Sequence, residues 1–274
     1  MNIHRLDKKE LYSEYLFGKQ TLKQLSEKHQ VSSKTIQRKL HSYTSQRLIS
    51  RDKSVVVLMD ATYWGWNFGV VVFKDFRTKK ILWHKYIRKK ETLADYLEGI
   101  DWLRKHGFVI EGIVCDGLRG MFAMLSSYPV QMCQFHQISI VRRYLTKQPE
   151  LEASKELWSV VKTMTHTDKE SFIGSFWEWE QKWSDFLKER SVEKKTGKKR
   201  YTHARLRSAF LSVKRNMKYL WIYYDYSGIG IPNTNNALEG TFTDLKTKLR
   251  NHNGLSKLRR KIFIDEYFKN SFKL

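Results

Sequence analysis

Two cysteines in 274 residues, Cys115 and Cys133, are too few for a disulfide framework or for the four cysteines of a structural zinc ribbon. A reducing cytoplasm is the expected compartment. Long apolar runs are also missing: the longest, around 55–59 and 70–73, fall far short of the roughly 20 residues that cross a bilayer. The N-terminus has none of the features of a signal peptide. Acids are the minority charge: 51 Lys+Arg against 28 Asp+Glu leave +23, far more than solubility requires. Such an excess points to a polyanionic partner, and nucleic acid is the first candidate. An anionic membrane surface could also attract such a chain, but no helical stretch sets a basic face against a continuous apolar face free of acids, which argues against that role. With 41% apolar residues, the chain can bury a full core.

Residues 7–43 read as three short helices. Leu11, Tyr15 and Leu16 mark one apolar face, Leu22 and Leu25 a second, and Val31, Ile36 and Leu40 a third. A tight connection at 28–32, with Ser32 or Ser33 able to cap the next helix, makes this a helix-turn-helix pattern, although Gln30 stands where the turn favours glycine. Its last helix presents Lys34, Thr35, Gln37, Arg38 and His41, side chains that contact phosphates and base edges. We therefore expect an all-α DNA-binding domain over 1–50 and a second domain over 51–274.

After a polar link near 44–53 the period changes from helical to strand. Runs at 54–59, 67–73 and 80–87 are rich in Val, Ile, Phe, Trp and Tyr, and their short connections imply an antiparallel meander. A helical stretch at 92–106 stops at Gly107, and a fourth strand follows at 109–115. A short helix near 118–126, a strand at 130–132 and a helix from Gln137 complete the order β-β-β-α-β-α-β-α. That order resembles an α/β ribonuclease H-like mixed sheet, in which the first and fourth strands lie side by side and run the same way.

Asp60 and Asp116 each close one of those two apolar runs, so this arrangement brings them together across about one inter-strand spacing. Carboxylates that close repel unless a cation lies between them, and a magnesium-type site resolves the conflict. A third acid, Glu239, opens a helix after Asn233-Thr234-Asn235-Asn236, residues suited to capping it. Asp244, Asp265 and Glu266 are its competitors. Lys246 and Arg250, seven and eleven residues beyond Glu239, fall on roughly its face and can grip a DNA backbone.

The blocks MDATYWG, VCDGLRG, VQMCQFHQ and IPNTNNALEGTFTDLKTKLRNHNGLS resemble the Mutator-type bacterial insertion-sequence transposases of the DDE superfamily, from about Ser54 to the C-terminus. The resemblance implies Asp60, Asp116 and Glu239 as metal-binding acids and a helical insertion, which the Trp-rich segment 143–225 suits. It also places Cys133-x-x-His136 beside the catalytic pocket, where His136 contacts a scissile phosphate or orients an acid; a buried Cys with a hydrogen-bonded His reads equally well. Two such ligands without a second pair do not close a zinc site. Some relatives carry a cysteine-rich zinc module at the N-terminus that this chain lacks, so end recognition falls to the helix-turn-helix.

The expected activity is two-metal phosphoryl transfer with two Mg2+ or Mn2+ ions, and no covalent protein–DNA intermediate. Its partners are terminal inverted repeats and target DNA, held by a homodimer or larger synaptic assembly. A ribonuclease H-like nuclease or resolvase, and a non-catalytic DNA-binding protein derived from a transposase, are the alternatives. The basic stretch 188–203 reads as a mobile surface loop able to hold phosphates without sequence preference.

Overall fold

The structure, a computed structural model, describes residues 6–43, 53–193, 197–252 and 254–270. The polar link lies outside these apart from Lys53. Five strands form one mixed sheet: β1 (Ser54–Tyr63), β2 (Gly69–Asp75), β3 (Ile81–Ile87), β4 (Val109–Cys115) and β5 (Val130–Met132), in the spatial order β3-β2-β1-β4-β5. β2 runs antiparallel to β1 and β3, while β1, β4 and β5 are parallel. This is the ribonuclease H-like arrangement expected from the sequence.

Alternation along β1 divides the core. Val55, Val57 and Met59 pack with Phe73, Tyr96, Ile100 and Met121 on the face covered by α4 (Leu93–Lys105) and α5 (Met121–Met124). Thr92 caps α4 reciprocally with Asp95, and Gly99 lets the helix lie close, since a Cβ there would meet the Phe73 ring at 2.6 Å. Val56 and Leu58 face the other way. They pack with Leu238, Phe242, Leu245 and Leu249 of α11 (Asn236–Arg250) and with Phe263, Ile264 and Tyr267 of α12 (Lys257–Asn270). That 3–4 spacing along α11 is one apolar stripe turned to the sheet.

The same core takes in α1 (Lys8–Leu16), α2 (Leu22–His29) and α3 (Ser33–His41) through Leu11, Tyr15, Leu25, Ile36 and Leu40. Gln30 adopts the left-handed conformation at the α2–α3 turn (φ 54°), and Ser32 caps α3 by accepting from the Thr35 amide.

The insertion follows α6 (Gln134–Leu145). It comprises α7 (Glu152–Lys162), α8 (Lys169–Trp183), a hairpin of β6 (Arg190–Val192) and β7 (Lys199–Tyr201), α9 (Ala204–Leu220) and α10 (Ile222–Asp225). Trp179 and Trp221 are buried in its own core with Phe172, Phe176 and Phe210. Three buried glutamines fasten it to the sheet. Gln131 and Gln134 donate to the Leu220 carbonyl, and Gln137 exchanges hydrogen bonds with Ser212 and Asn216.

Three sequence expectations change. β1 continues past Met59 to Tyr63 because Ala61, Thr62 and Tyr63 pair with Val71, Val70 and Gly69. α6 begins at Gln134 rather than Gln137. The segment 188–203, expected as a loop, contains the β6–β7 hairpin, and its residues 194–196 lie outside the described set.

Candidate active site

β4 carries one extra residue, and that residue aligns two of the acids. The β1–β4 register runs Val55 with Ile110 and then Val56 with Gly112, which leaves Glu111 as a bulge. From there the register runs to Leu58 with Val114, and Asp60 and Asp116 each follow that last pair by two residues. Both follow the alternation of Leu58 and Val114, whose side chains lie on the α11 side of the sheet. Asp60 therefore sits within β1 and not at its end, as the apolar run alone implied.

Burial pushes the Asp60 carboxyl up to about 8, opposed by a hydrogen bond from the Ala61 amide (2.7 Å) and reinforced by Asp116, Glu239 and Glu91. Of the charges that act on Asp60, those three acids are the leading ones. Just past β4, Asp116 accepts from the Leu118 amide at 3.2 Å, which fixes the turn after the strand.

Glu239 lies in the first turn of α11, and Asn235 places that turn. Asn235 is fully buried and makes no side-chain cap, contrary to the capping role read from the sequence. Its Nδ2 instead donates to the Met59 carbonyl (2.9 Å), one residue before Asp60, and its backbone amide donates to Cys133 Sγ (3.2 Å). Lys74 of β2 holds the same turns from below, donating to the Ala237 carbonyl (2.8 Å) and Thr241 Oγ1 (2.6 Å). Burial, with help from Lys79, lowers this ammonium to about 8.

His136 is in the first turn of α6, after Cys133 at the N-cap. Its Nδ1 is buried without a hydrogen-bond partner and lies 3.9 Å from Glu239 Oε1. Burial pulls its pKa down, but the Cys133 sulfur, Asp116 and Glu239 outweigh it, and the ring ends above its ordinary value. Cys133, His136 and Glu239 offer ligand atoms all within 4.8 Å of one another. Asp60, Asp116 and Glu239 are a hard, all-oxygen donor set in which burial first, and then the neighbouring acids, raise the Asp60 carboxyl. Its chemistry is of the kind magnesium or manganese takes, whereas among the described residues the only group whose ligand atoms all lie within 4.8 Å is Cys133, His136 and Glu239, so Asp60 and Asp116 do not close on Glu239 to that distance.

Glu91 was not singled out by sequence reasoning. Burial raises its pKa first, then Asp116 and Asp95; its Oε2 is buried without a partner, and its amide donates to Tyr63 Oη (2.9 Å). Following Arg88-Lys89-Lys90, it looks like surface charge, and only the fold reveals it.

The competing acids are engaged elsewhere. Asp244 binds Lys248 (2.6 Å) and Tyr267 Oη (2.7 Å), Asp265 binds His84 and Tyr86, and buried Glu266 pairs with Lys269. Lys246 is half-buried and Arg250 exposed, neither with an ion pair among the described residues. On α3, Lys34, Arg38 and His41 are exposed, while Thr35 is half-buried with its hydroxyl against that of Ser32. Gln37 is turned to α12, where its amide oxygen accepts from Arg259 (3.0 Å).

No family model matches the chain, and no curated protein matches it. Among solved structures it is similar to the Drosophila P element transposase strand transfer complex, at 11% identity and TM-score 0.46, covering 96% of this chain and 92% of that one. It is also similar to the simian T-cell lymphotropic virus intasome in complex with a PP2A regulatory subunit, at 14% identity and TM-score 0.25, covering 59% of this chain and 69% of that one.

Proposed function

We propose that this chain is a DNA transposase of the DDE type, related to the Mutator-type insertion-sequence enzymes, which cleaves and joins DNA strands at the ends of its element. The observation that carries this reading is the electrostatic convergence of Asp60, Asp116 and Glu239 at one end of the sheet in a chain of net charge +23. Asp60, Asp116 and Glu239 would hold the metal ions, with Asp60 the acid on which the other two act. Bound there, two Mg2+ or Mn2+ ions supply activation of water or a DNA 3′-hydroxyl and charge neutralisation at the leaving oxygen.

The chain's own groups supply the rest. His136, with its raised pKa, presents a proton donor beside Glu239 for a phosphate oxygen. Lys246 and Arg250 hold the strand leading from the acids along α11. Lys34 and Arg38 on α3 engage terminal repeats from outside the catalytic sheet. Synapsis of two ends calls for a homodimer or larger assembly. No helix among the described residues is long and apolar enough to cross a membrane, and a cytoplasmic, nucleoid-associated protein suits the reading.

A strand-transfer assay tests it, using the inverted repeats that flank the gene as donor DNA with Mg2+ or Mn2+. Joining of donor 3′-ends to target DNA is expected. Asp60→Asn, Asp116→Asn and Glu239→Gln should each abolish it while leaving DNA binding largely intact, because a neutral amide coordinates these ions poorly. Hydrolysis without joining would make the chain a nuclease or resolvase, and binding alone would make it a non-catalytic derivative.

A further inference from the structure

Trp66 is 95% exposed, at the tip of the turn between β1 and β2. A tryptophan left in water is uncommon, because its large apolar surface gains from burial. The turn beneath it is firmly built. The Trp64 amide donates to the Phe68 carbonyl (2.8 Å), Gly65 takes the left-handed conformation (φ 71°), Trp64 packs on Phe68 (5.5 Å), and Phe68 stacks on Tyr86 (5.7 Å, 13°). Trp66 alone has no ring or cation partner among the described residues.

A second feature lies at the same end of the sheet. Gly69 pairs with Tyr63 on one side and with Ile87 on the other, so the exposed run Arg88-Lys89-Lys90 leaves β3 level with the base of this hairpin. None of the three cations has an ion pair among the described residues. The run leads into Glu91, whose amide is held by Tyr63 Oη and whose charge reaches Asp60. The aromatic tip, the free cations and the acids therefore share one end of the sheet.

We propose that Trp66 and Arg88–Lys90 form a binding site for an unpaired nucleotide of DNA beside the catalytic acids. The indole stacks on the base, and the cations hold its flanking phosphates. Stacking tolerates any base, because every base has a π-face, and the unpaired cations read phosphate rather than sequence. The inference rests on the transposase reading and adds the state of the DNA: an end whose terminal bases are opened from the duplex.

The test uses the full chain in EDTA, so that no cleavage intervenes. The probes are a hairpin-capped duplex that is blunt or carries a short 3′ overhang with 2-aminopurine. Wild type should prefer the overhang and quench the 2-aminopurine. Trp66→Ala should lower overhang affinity about tenfold and abolish quenching, with blunt-duplex affinity unchanged. Trp66→Phe should retain most of the preference, and Trp177→Ala, on the insertion, should match wild type. Replacing Arg88, Lys89 and Lys90 by Gln should lower the salt slope of binding by about 2 to 3. The stacking site is overturned if Trp66→Ala keeps the overhang preference and the quenching, or weakens both DNAs equally. If wild type binds neither probe, the transposase reading itself falls; if it binds and joins DNA while Trp66→Ala is silent, only the stacking site falls.

Discussion

Asp60 and Asp116 each follow the last β1–β4 pair, Leu58 with Val114, by two residues because Glu111 is one residue more than the register requires. Without that bulge, the pairing of Ser54 with Val109 would carry Cys115 to the position beside Asp60 and turn Asp116 out of step. Glu111 is held in place by Arg77, which also donates to the Ile229 carbonyl (2.8 Å). Deleting Glu111 should abolish strand cleavage and remove the rise in melting temperature on adding Mg2+. Glu111→Ala keeps the residue count and should cleave near the wild-type rate. Cleavage by the deletion variant would show that the bulge does not align the acids.

Asn235 ties the Glu239 helix to β1. Asn235→Ala leaves the Met59 carbonyl without its donor and should cost about 1–3 kcal/mol in urea unfolding, with a larger loss in cleavage than in DNA binding. Asn235→Asp replaces the donor by a charge near three carboxylates and should be worse on both counts. Wild-type cleavage by Asn235→Ala would free Glu239 from this anchor.

Two buried groups predict a minimum in stability near pH 8 for the metal-free protein. Asp60 is raised to about 8, so between about pH 4 and 8 the folded state holds a proton that the unfolded state has lost, and its contribution falls as pH rises. Lys74 is lowered to about 8, so above that the unfolded state holds the extra proton, and stability recovers toward pH 10. Thermal melts across pH should show Asp60→Asn flattening the falling limb and Lys74→Met the rising one. A variant whose curve parallels wild type would clear its residue of that role.

Lys246→Gln with Arg250→Gln should leave the melting temperature nearly unchanged, since neither half-buried Lys246 nor exposed Arg250 has an ion pair among the described residues and unpaired surface charges contribute little to stability. Cleavage of end DNA should fall most at high salt, where the remaining attraction is screened. Wild-type cleavage across the salt series would remove DNA from this face of α11.

On α3, Arg38→Ala should either relax preference for end sequences or weaken binding uniformly with a smaller salt slope, according to whether it reads bases or phosphate. Gln37→Ala should lower stability slightly and leave specificity alone, because its amide faces Arg259. Unchanged end-specific binding after removal of residues 1–43 would give the three helices another purpose.

The β-branched runs and the acids beside them made the sheet and two of the candidate acids legible in the sequence, and Ser32 was recognisable as a helix cap. What was missed depends on neighbours that no local period reports. β1 extends past Asp60 because Val70 and Val71 lie opposite Thr62 and Ala61. Gln131, Gln134 and Gln137 look like surface polar residues until Leu220, Ser212 and Asn216 arrive to satisfy them. Asn235 has the chemistry of a cap but finds a better acceptor in another strand.

Gln134 and Asn233 meet twice, through the Gln134 amide on the Asn233 carbonyl and the Asn233 amide group on Gln134 Oε1, each at 3.0 Å, although they are 99 positions apart. The chain thus leaves the sheet after β5 and returns into α11 beside this clasp. His136 lies just inside the departure and Glu239 just beyond the return. The clasp ties the position of one to the position of the other. The insertion is therefore moored at its base by buried amides on both sides of the clasp, so a change at Leu220, Ser212 or Asn216 would be felt where His136 and Glu239 meet.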